Sequence, residues 1–121
     1  MSEKRIILEM GTGNDLYGQD YTKAARRAVQ DALHHSSITL FSKLGIDHSE
    51  MRVMVTIAVQ DPDKVDCDLV AADLPRGRAE VRAVKGGLNV TDAESDAVHV
   101  VATAAISAWL PDQADNYRLN T

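Results

Sequence analysis

A chain of 121 residues with 13 Lys or Arg against 18 Asp or Glu, a net charge of −5 and an isoelectric point near 5.2 is expected to form one acidic domain. Its 45% apolar content is enough for a core of its own, and the acidic balance, with no dense Lys/Arg run, argues against nucleic-acid or anionic-membrane partners. The single cysteine, Cys67, excludes an intrachain disulfide, and no leader or bilayer-length apolar run is evident, so a soluble cytoplasmic protein is expected.

Residues 1–3 and 111–121 are read as tails. Arg5 to Met10 reads as the first strand, with Ile6, Leu8 and Met10 on one side and Arg5, Ile7 and Glu9 on the other. A polar, glycine-rich loop is expected next, from Gly11 through Gly13, Asn14, Asp15 and Gly18 to Gln19. Asp20 is placed as the N-cap of a helix reaching about His35. That helix has an apolar stripe of Ala24, Ala25, Ala28, Val29, Ala32 and Leu33. Its other face carries Lys23, Arg26, Arg27, Gln30, Asp31 and His34.

Ser36 to Ser49, flanked by His34, His35 and His48, reads as a connector over the sheet edge. Met51 to Gln60 is a central strand apolar on both sides and therefore expected to be covered on both. Asp61-Pro62 opens a short second helix, with Asp61 as cap and Val65, Leu69 and Ala72 as its buried stripe. Leu74-Pro75 stops it, and Arg76-Gly77-Arg78 is a turn. Ala79 to Lys85 is the third strand, closed by Gly86-Gly87. Asn89 to Asp96 reads as an acidic loop. Ala97 to Leu110 fits a helix, from its many alanines, or a long strand, and its β-branched density decides for strand in the first half.

The order is strand, helix, strand, short helix, strand, strand. This predicts an α+β sheet with helices on one face. Few aromatics and many alanines predict helix packed closely on sheet, with further core supplied by neighbouring subunits.

The strongest cluster of chemical groups is the glycine loop and the helix start. Backbone amides there, with Gly11, Gly13, Asn14, Gly18, Gln19 and Lys23, are candidates to hold a small polar or anionic metabolite at the positive end of a helix. Arg82 would complete the cleft from the sheet. Lys85, Asp15 and Asp20 are the candidate catalytic groups: a desolvated lysine and two carboxylates able to serve as general base. Lys23 and Arg27, like charges four apart, favour an anion or carboxylate nearby. The loop lacks the Gly-Lys-Ser/Thr of a phosphate-binding P-loop and the third glycine of a dinucleotide site, so no nucleotide cofactor is expected. No His or Cys lies at ligand spacing beside Asp15 and Asp20, so no metal site is assigned. Cys67, between Asp66 and Asp68, is read as a structural or surface thiol, since both carboxylates disfavour its thiolate.

With the Gly86-Gly87-Leu88 turn between its last strands, the β-α-β-α-β-β order resembles the trimeric chorismate mutase-like fold over about residues 4–110. The resemblance implies a homotrimer built around a barrel of sheets, with ligand sites in clefts between subunits. His99, Met10 and Val81 stand where chorismate mutases carry their functional arginines and glutamate, which argues against that activity. Met10 to Ala25, together with Val84-Lys85-Gly86-Gly87-Leu88, is similar to a conserved family of short, uncharacterised bacterial proteins. Asn14-Asp15 and Asp20-Tyr21-Thr22-Lys23 resemble a segment of the ring-opening amidohydrolases, whose chain holds three related units and which use Ser–Lys pairs. That resemblance implies an amide hydrolase with a lysine-activated nucleophile as the alternative function. A non-catalytic structural or regulatory oligomer is the third expectation.

Overall fold

Alternation of side chains decides the sheet. The computed structural model describes residues 3–34, 51–74 and 78–111. Its strands are β1 (Glu3–Asp15), β2 (Arg52–Val59), β3 (Arg78–Lys85), β4 (Leu88–Thr91) and β5 (Val98–Pro111). The order across the sheet is β1-β5-β2-β3, with β4 also paired to β5. The β1/β5, β5/β2 and β4/β5 pairs are antiparallel, and β2/β3 is parallel. The mixed α+β class and the strand-helix-strand order match the sequence reading.

Helix α1 (Tyr21–His34) follows β1 and lies on one face of the sheet. Its apolar stripe of Ala24, Ala25, Ala28, Val29 and Ala32 is buried against Val53, Val55, Ile57 and Val59 of β2 and Val100, Ala102, Ala104 and Ile106 of β5. The period of 3.6 on the helix and of 2 on the strands thus meets in one core. Short α2 (Cys67–Ala72) sits near β3 and α1.

Three sequence expectations change here. First, β1 does not end at Met10: the strand continues through Gly11 and Gly13 to Asp15, in register with Ala104, Ala102 and Val100. Its pairing of Glu3 with Pro111 also draws the ends of both supposed tails into the sheet. Gly11 and Gly13 are therefore strand residues beneath α1, and no ligand loop. A Cβ on Gly13 would stand 2.3 Å from the Ala28 nitrogen and 2.4 Å from the Ala24 carbonyl oxygen; one on Gly11 would stand 2.4 Å from the Ala28 oxygen. The missing side chains let α1 rest directly on the β1 backbone. The glycines are needed for this close approach, since neither adopts the positive φ that is found at Gly87 (62°).

Second, the single helix expected after Asp61 is two pieces. Pro62–Lys64 forms one 3₁₀ turn, and Asp61 makes no side-chain cap. Asp66 caps α2 instead, accepting from the Leu69 amide at 3.1 Å. Val70 is the buried residue of α2, whereas Leu69 and Ala72 are exposed. Third, Leu88–Thr91 is a strand where an acidic loop was expected, because β2 ends opposite Thr103 and leaves the edge of β5 open from Val101 to Val98. The turn after it is held by Asp92, which accepts from the Glu94 amide and from Ser95 Oγ; these bonds hold its carboxyl below the usual range. β5 is strand throughout.

The second face of the sheet carries no helix among the described residues. Leu8, Met10 and Thr12 of β1, Met54, Thr56 and Ala58 of β2 and Thr103 and Ala105 of β5 share it by register. Met10 is 66% exposed. Among the described residues β2 is therefore packed against a helix on one face, where the sequence led one to expect cover on both. The connector Ser36–Ser49, with His35 and His48, and Pro75, Arg76 and Gly77 lie outside the described residues.

Candidate functional site

The site begins with a carboxylate at the end of a strand. The alternation that buries Gly11 and Gly13 also turns Asp15 inward, under the start of α1, where it is 4% exposed. It is the one buried charged residue among the described residues. Burying an ionised group costs several kcal/mol unless it is paired and hydrogen-bonded, so its partners must be accounted for.

Asp15 Oδ2 accepts from the Asp20 amide at 2.8 Å, which folds residues 16–19 over it as a short bend. Gly18 packs against the same oxygen, with space for no side chain. The bend turns at Gln19, whose φ is 50°. Asp15 Oδ1 faces two cations, Arg27 Nη1 at 3.8 Å and Lys23 Nζ at 3.9 Å. Both distances lie beyond hydrogen-bond range, and both cationic side chains are about half exposed, at 51% and 53%.

Asp20 caps α1 as its sequence position predicts: Oδ1 accepts from the Lys23 amide at 3.0 Å and its carbonyl from the Ala24 amide at 3.1 Å. The bend is tied on its far side by His99 of β5. Nδ1 of His99 donates to the Leu16 carbonyl, which fixes the tautomer, and its ring meets Tyr17 edge-on at 5.8 Å. Arg27 also donates to the Asn14 carbonyl, and the Thr12 amide donates to Asp31 Oδ2. α1 thus occupies the outer edge of β1 with its own side chains, where a strand edge would otherwise stand open.

A cavity of about 420 Å³ opens among Asp15, Leu16, Tyr17, Gly18, Asp20, Lys23 and Arg27. That size suits a small metabolite. Further hollows of about 450 and 470 Å³ run on from Lys23, one toward Asp66 and Leu69, the other along Arg26, Gln30 and His34. Arg26 is held there by a two-pronged pair with Asp73, at 2.6 and 3.1 Å, and this pairing raises its pKa.

The fold therefore brings together Asp15, Gly18, Asp20 and Lys23 from the candidate set, with Gln19 in the bend beside them. It does not bring Gly11 and Gly13, whose Cα positions face α1. Asn14 offers only its carbonyl, since its side chain alternates to the other face of β1. Lys85 and Arg82 are on β3, three strands from β1, or about 14 Å at the usual strand spacing. Arg82 points to the open face, where Nε donates to Thr56 Oγ1 at 3.1 Å. Sequence reasoning asked for a carboxylate or anion beside Lys23 and Arg27 but left Arg27 out of the candidate ligand set, and it missed the role of His99 and the burial of Asp15. For Arg27 and Lys23 a signal was present, because two like charges four apart beside a carboxylate-rich loop ask for a shared counter-ion. Nothing in the sequence pointed to the contact of His99 with Leu16, which are 83 residues apart. Cys67 stands apart from the cavity. Desolvation first, then Asp68 and Asp66, push its thiol up, in keeping with a non-nucleophilic role.

The profile of a family described as a conserved hypothetical protein (Lin0512_fam) matches residues 5–108. A solved structure, that of an FtsZ-like protein of unknown function from Nostoc punctiforme, is similar with a TM-score of 0.79 and 34% identity, covering 93% of this chain and 99% of that one. No curated protein matches the sequence.

Proposed function

We propose, for a chain that belongs to this conserved hypothetical family, that the cavity at the start of α1 binds a small polar, anionic metabolite. The observation that carries the reading is the pair of half-exposed cations, Lys23 and Arg27, poised 3.9 and 3.8 Å from one buried carboxylate and lining a cavity of metabolite size. Both cationic side chains are about half exposed, so each presents charge to the cavity while still facing Asp15 Oδ1. Asp15 is the group placed to act as base if the ligand is transformed; Asp20 has one oxygen committed to the helix cap.

The working form in this proposal is a homo-oligomer, a trimer of the chorismate mutase-like kind, with the open sheet face covered by neighbouring copies. The strand order β1-β5-β2-β3 and the exposed Leu8, Met10, Val84, Leu88 and Val90 support it. Lys85 and Arg82 then reach a cleft only as residues of a neighbouring copy. The hydrolase alternative has less behind it: among the described residues neither Lys23 nor Lys85 has a hydrogen bond to a hydroxyl. No helix among the described residues is long and apolar enough to cross a membrane.

Thermal melting with millimolar propionate and inorganic phosphate tests the binding. A rise in the melting temperature of the parent protein, lost in the Lys23→Ala/Arg27→Ala double variant, is expected, since a ligand for the native state adds stability by mass action. No rise with either anion, or an equal rise in the double variant, removes the reading. Light scattering that gives a monomer at micromolar concentration removes the oligomer.

A further inference from the structure

The two long edges of the sheet are finished differently. Along β1, α1 supplies partners: Asp31 for the Thr12 amide and Arg27 for the Asn14 carbonyl. β3 pairs with β2 alone. The Gly86 amide, one residue past β3, donates to the Val59 carbonyl of β2 at 2.9 Å. Backbone direction alternates along a strand, so the amides and carbonyls of Ala79, Val81 and Ala83 point the other way, out from the edge. There the Ala83 amide donates to Cys67 Sγ of α2. The amides of Ala79 and Val81 have no hydrogen-bond partner among the described residues. An open edge of this kind templates a further strand unless its side chains forbid one.

The side chains of β3 do not forbid one; they match a second copy of the same strand. Glu80 and Arg82 flank Val81 and are exposed on the open face. Arg82 commits Nε to Thr56 Oγ1, while its Nη groups and the Glu80 carboxylate make no ion pair among the described residues. We propose that two copies of this chain pair antiparallel through β3, about a two-fold axis at Val81. Glu80 then stands opposite the second copy's Arg82, and Arg82 opposite its Glu80. Both are closely spaced, non-hydrogen-bonded positions of the ladder, where opposite charges stabilise a pair. The two Val81 residues exchange both of their backbone bonds, and each Ala79 amide meets the second copy's Ala83 carbonyl. On the closed face Ala79 and Val81, half-buried against the core, gain apolar neighbours. Moving the axis one residue either way sets Glu80 against Glu80 or Arg82 against Arg82, so charge selects the register. The contact is isologous, uses an edge and not the open face, and takes no residue of the ligand cavity. Joined to the three-fold contacts proposed above it gives six chains, and without them two.

Light scattering on a sizing column, with the full chain at micromolar concentration, tests this by counting chains in the parent and in three variants. The parent is expected at an even number of chains. Val81→Pro removes an outward amide, which a solvent-facing edge strand tolerates, and is expected to halve the mass. Arg82→Glu sets two carboxylates opposite each other twice and is expected to halve it too. Glu80→Arg/Arg82→Glu exchanges the two charges, restores both opposite pairs and is expected to recover the parental mass. A parent of one or three chains overturns the pairing and leaves the edge to a strand of another protein. Three chains would keep the oligomer proposed above, whereas one chain removes it as well. Parental mass in both Val81→Pro and Arg82→Glu overturns the pairing whatever the size of the parent. So does an exchanged variant no heavier than Arg82→Glu. If circular dichroism shows that Val81→Pro does not fold, the two charge variants decide the matter alone.

Discussion

The two faces of the sheet are built from the same strands and differ in what touches them. On the closed face, Gly13, Ala102 and Ala104 meet Ala24 and Ala28 of α1, and Val55 and Ile57 are fully buried. On the open face, one residue along each strand, Met10, Thr12, Met54, Thr56, Thr103 and Ala105 line a sheet surface without a helix, and a hollow of about 460 Å³ lies among them. The closed face was made dense by small side chains: the less β1 carries, the nearer the helix comes, and dispersion contacts replace bulk. The open face keeps apolar groups at the surface over a width that no described element covers. One set of strands thus serves as the core of the subunit and, in the reading proposed above, as the meeting surface of several.

That contrast can be broken most sharply at Gly13. Replacing it by Ala sets a methyl group 2.3 Å from backbone nitrogen, where no flexible side chain can yield, so α1 must lift from β1. A loss of about 3 kcal/mol or more, and a melting temperature lower by more than about 10 °C, is expected by calorimetry. An unchanged midpoint would mean that the helix does not rest on the strand.

The next test pairs one residue from each face. Ile57→Ala removes a fully buried side chain on the closed face and is expected to cost about 2–5 kcal/mol in urea unfolding. Met10→Lys, at a position 66% exposed on the open face, is expected to leave the subunit within about 0.5 kcal/mol of the parent. Under the oligomer proposed above, the same variant should lower the mass seen on a light-scattering column, because a charge would then be buried where copies meet. Equal stability losses from the two variants would show that the open face is core.

The smallest effect is kinetic. Burial and two neighbouring carboxylates raise the pKa of Cys67, so its thiolate is scarce in the fold. Labelling by a disulfide reagent at mildly alkaline pH should be slower than for the unfolded chain and should accelerate as pH rises past the ordinary thiol range. The linkage has the same sign: the raised value disfavours ionisation in the fold, so its contribution to stability is whole below the unfolded pKa and is lost as pH rises through the folded one. Labelling as fast as in urea would place the thiol in water.

Local pattern alone determined much of this protein. The period of α1, the alternation of β2, the Asp20 cap, the Gly86-Gly87 turn and the α+β class could all be read because each depends on residues within a few positions of one another. Most of the candidate site could not. Gly11 and Gly13 look the same in sequence whether they serve a ligand loop or a helix contact, and only the packing of α1 on β1 chose the second. Asp15 became a buried carboxylate because a strand continued five residues past its last bulky side chain and its alternation happened to point inward. Arg82 and Lys85, plausible partners for Lys23 by residue type, were separated by strand order, which is set by long-range pairing and leaves no mark in the local chain. The residue types were fixed by the sequence; their neighbours were decided by which surfaces excluded water together.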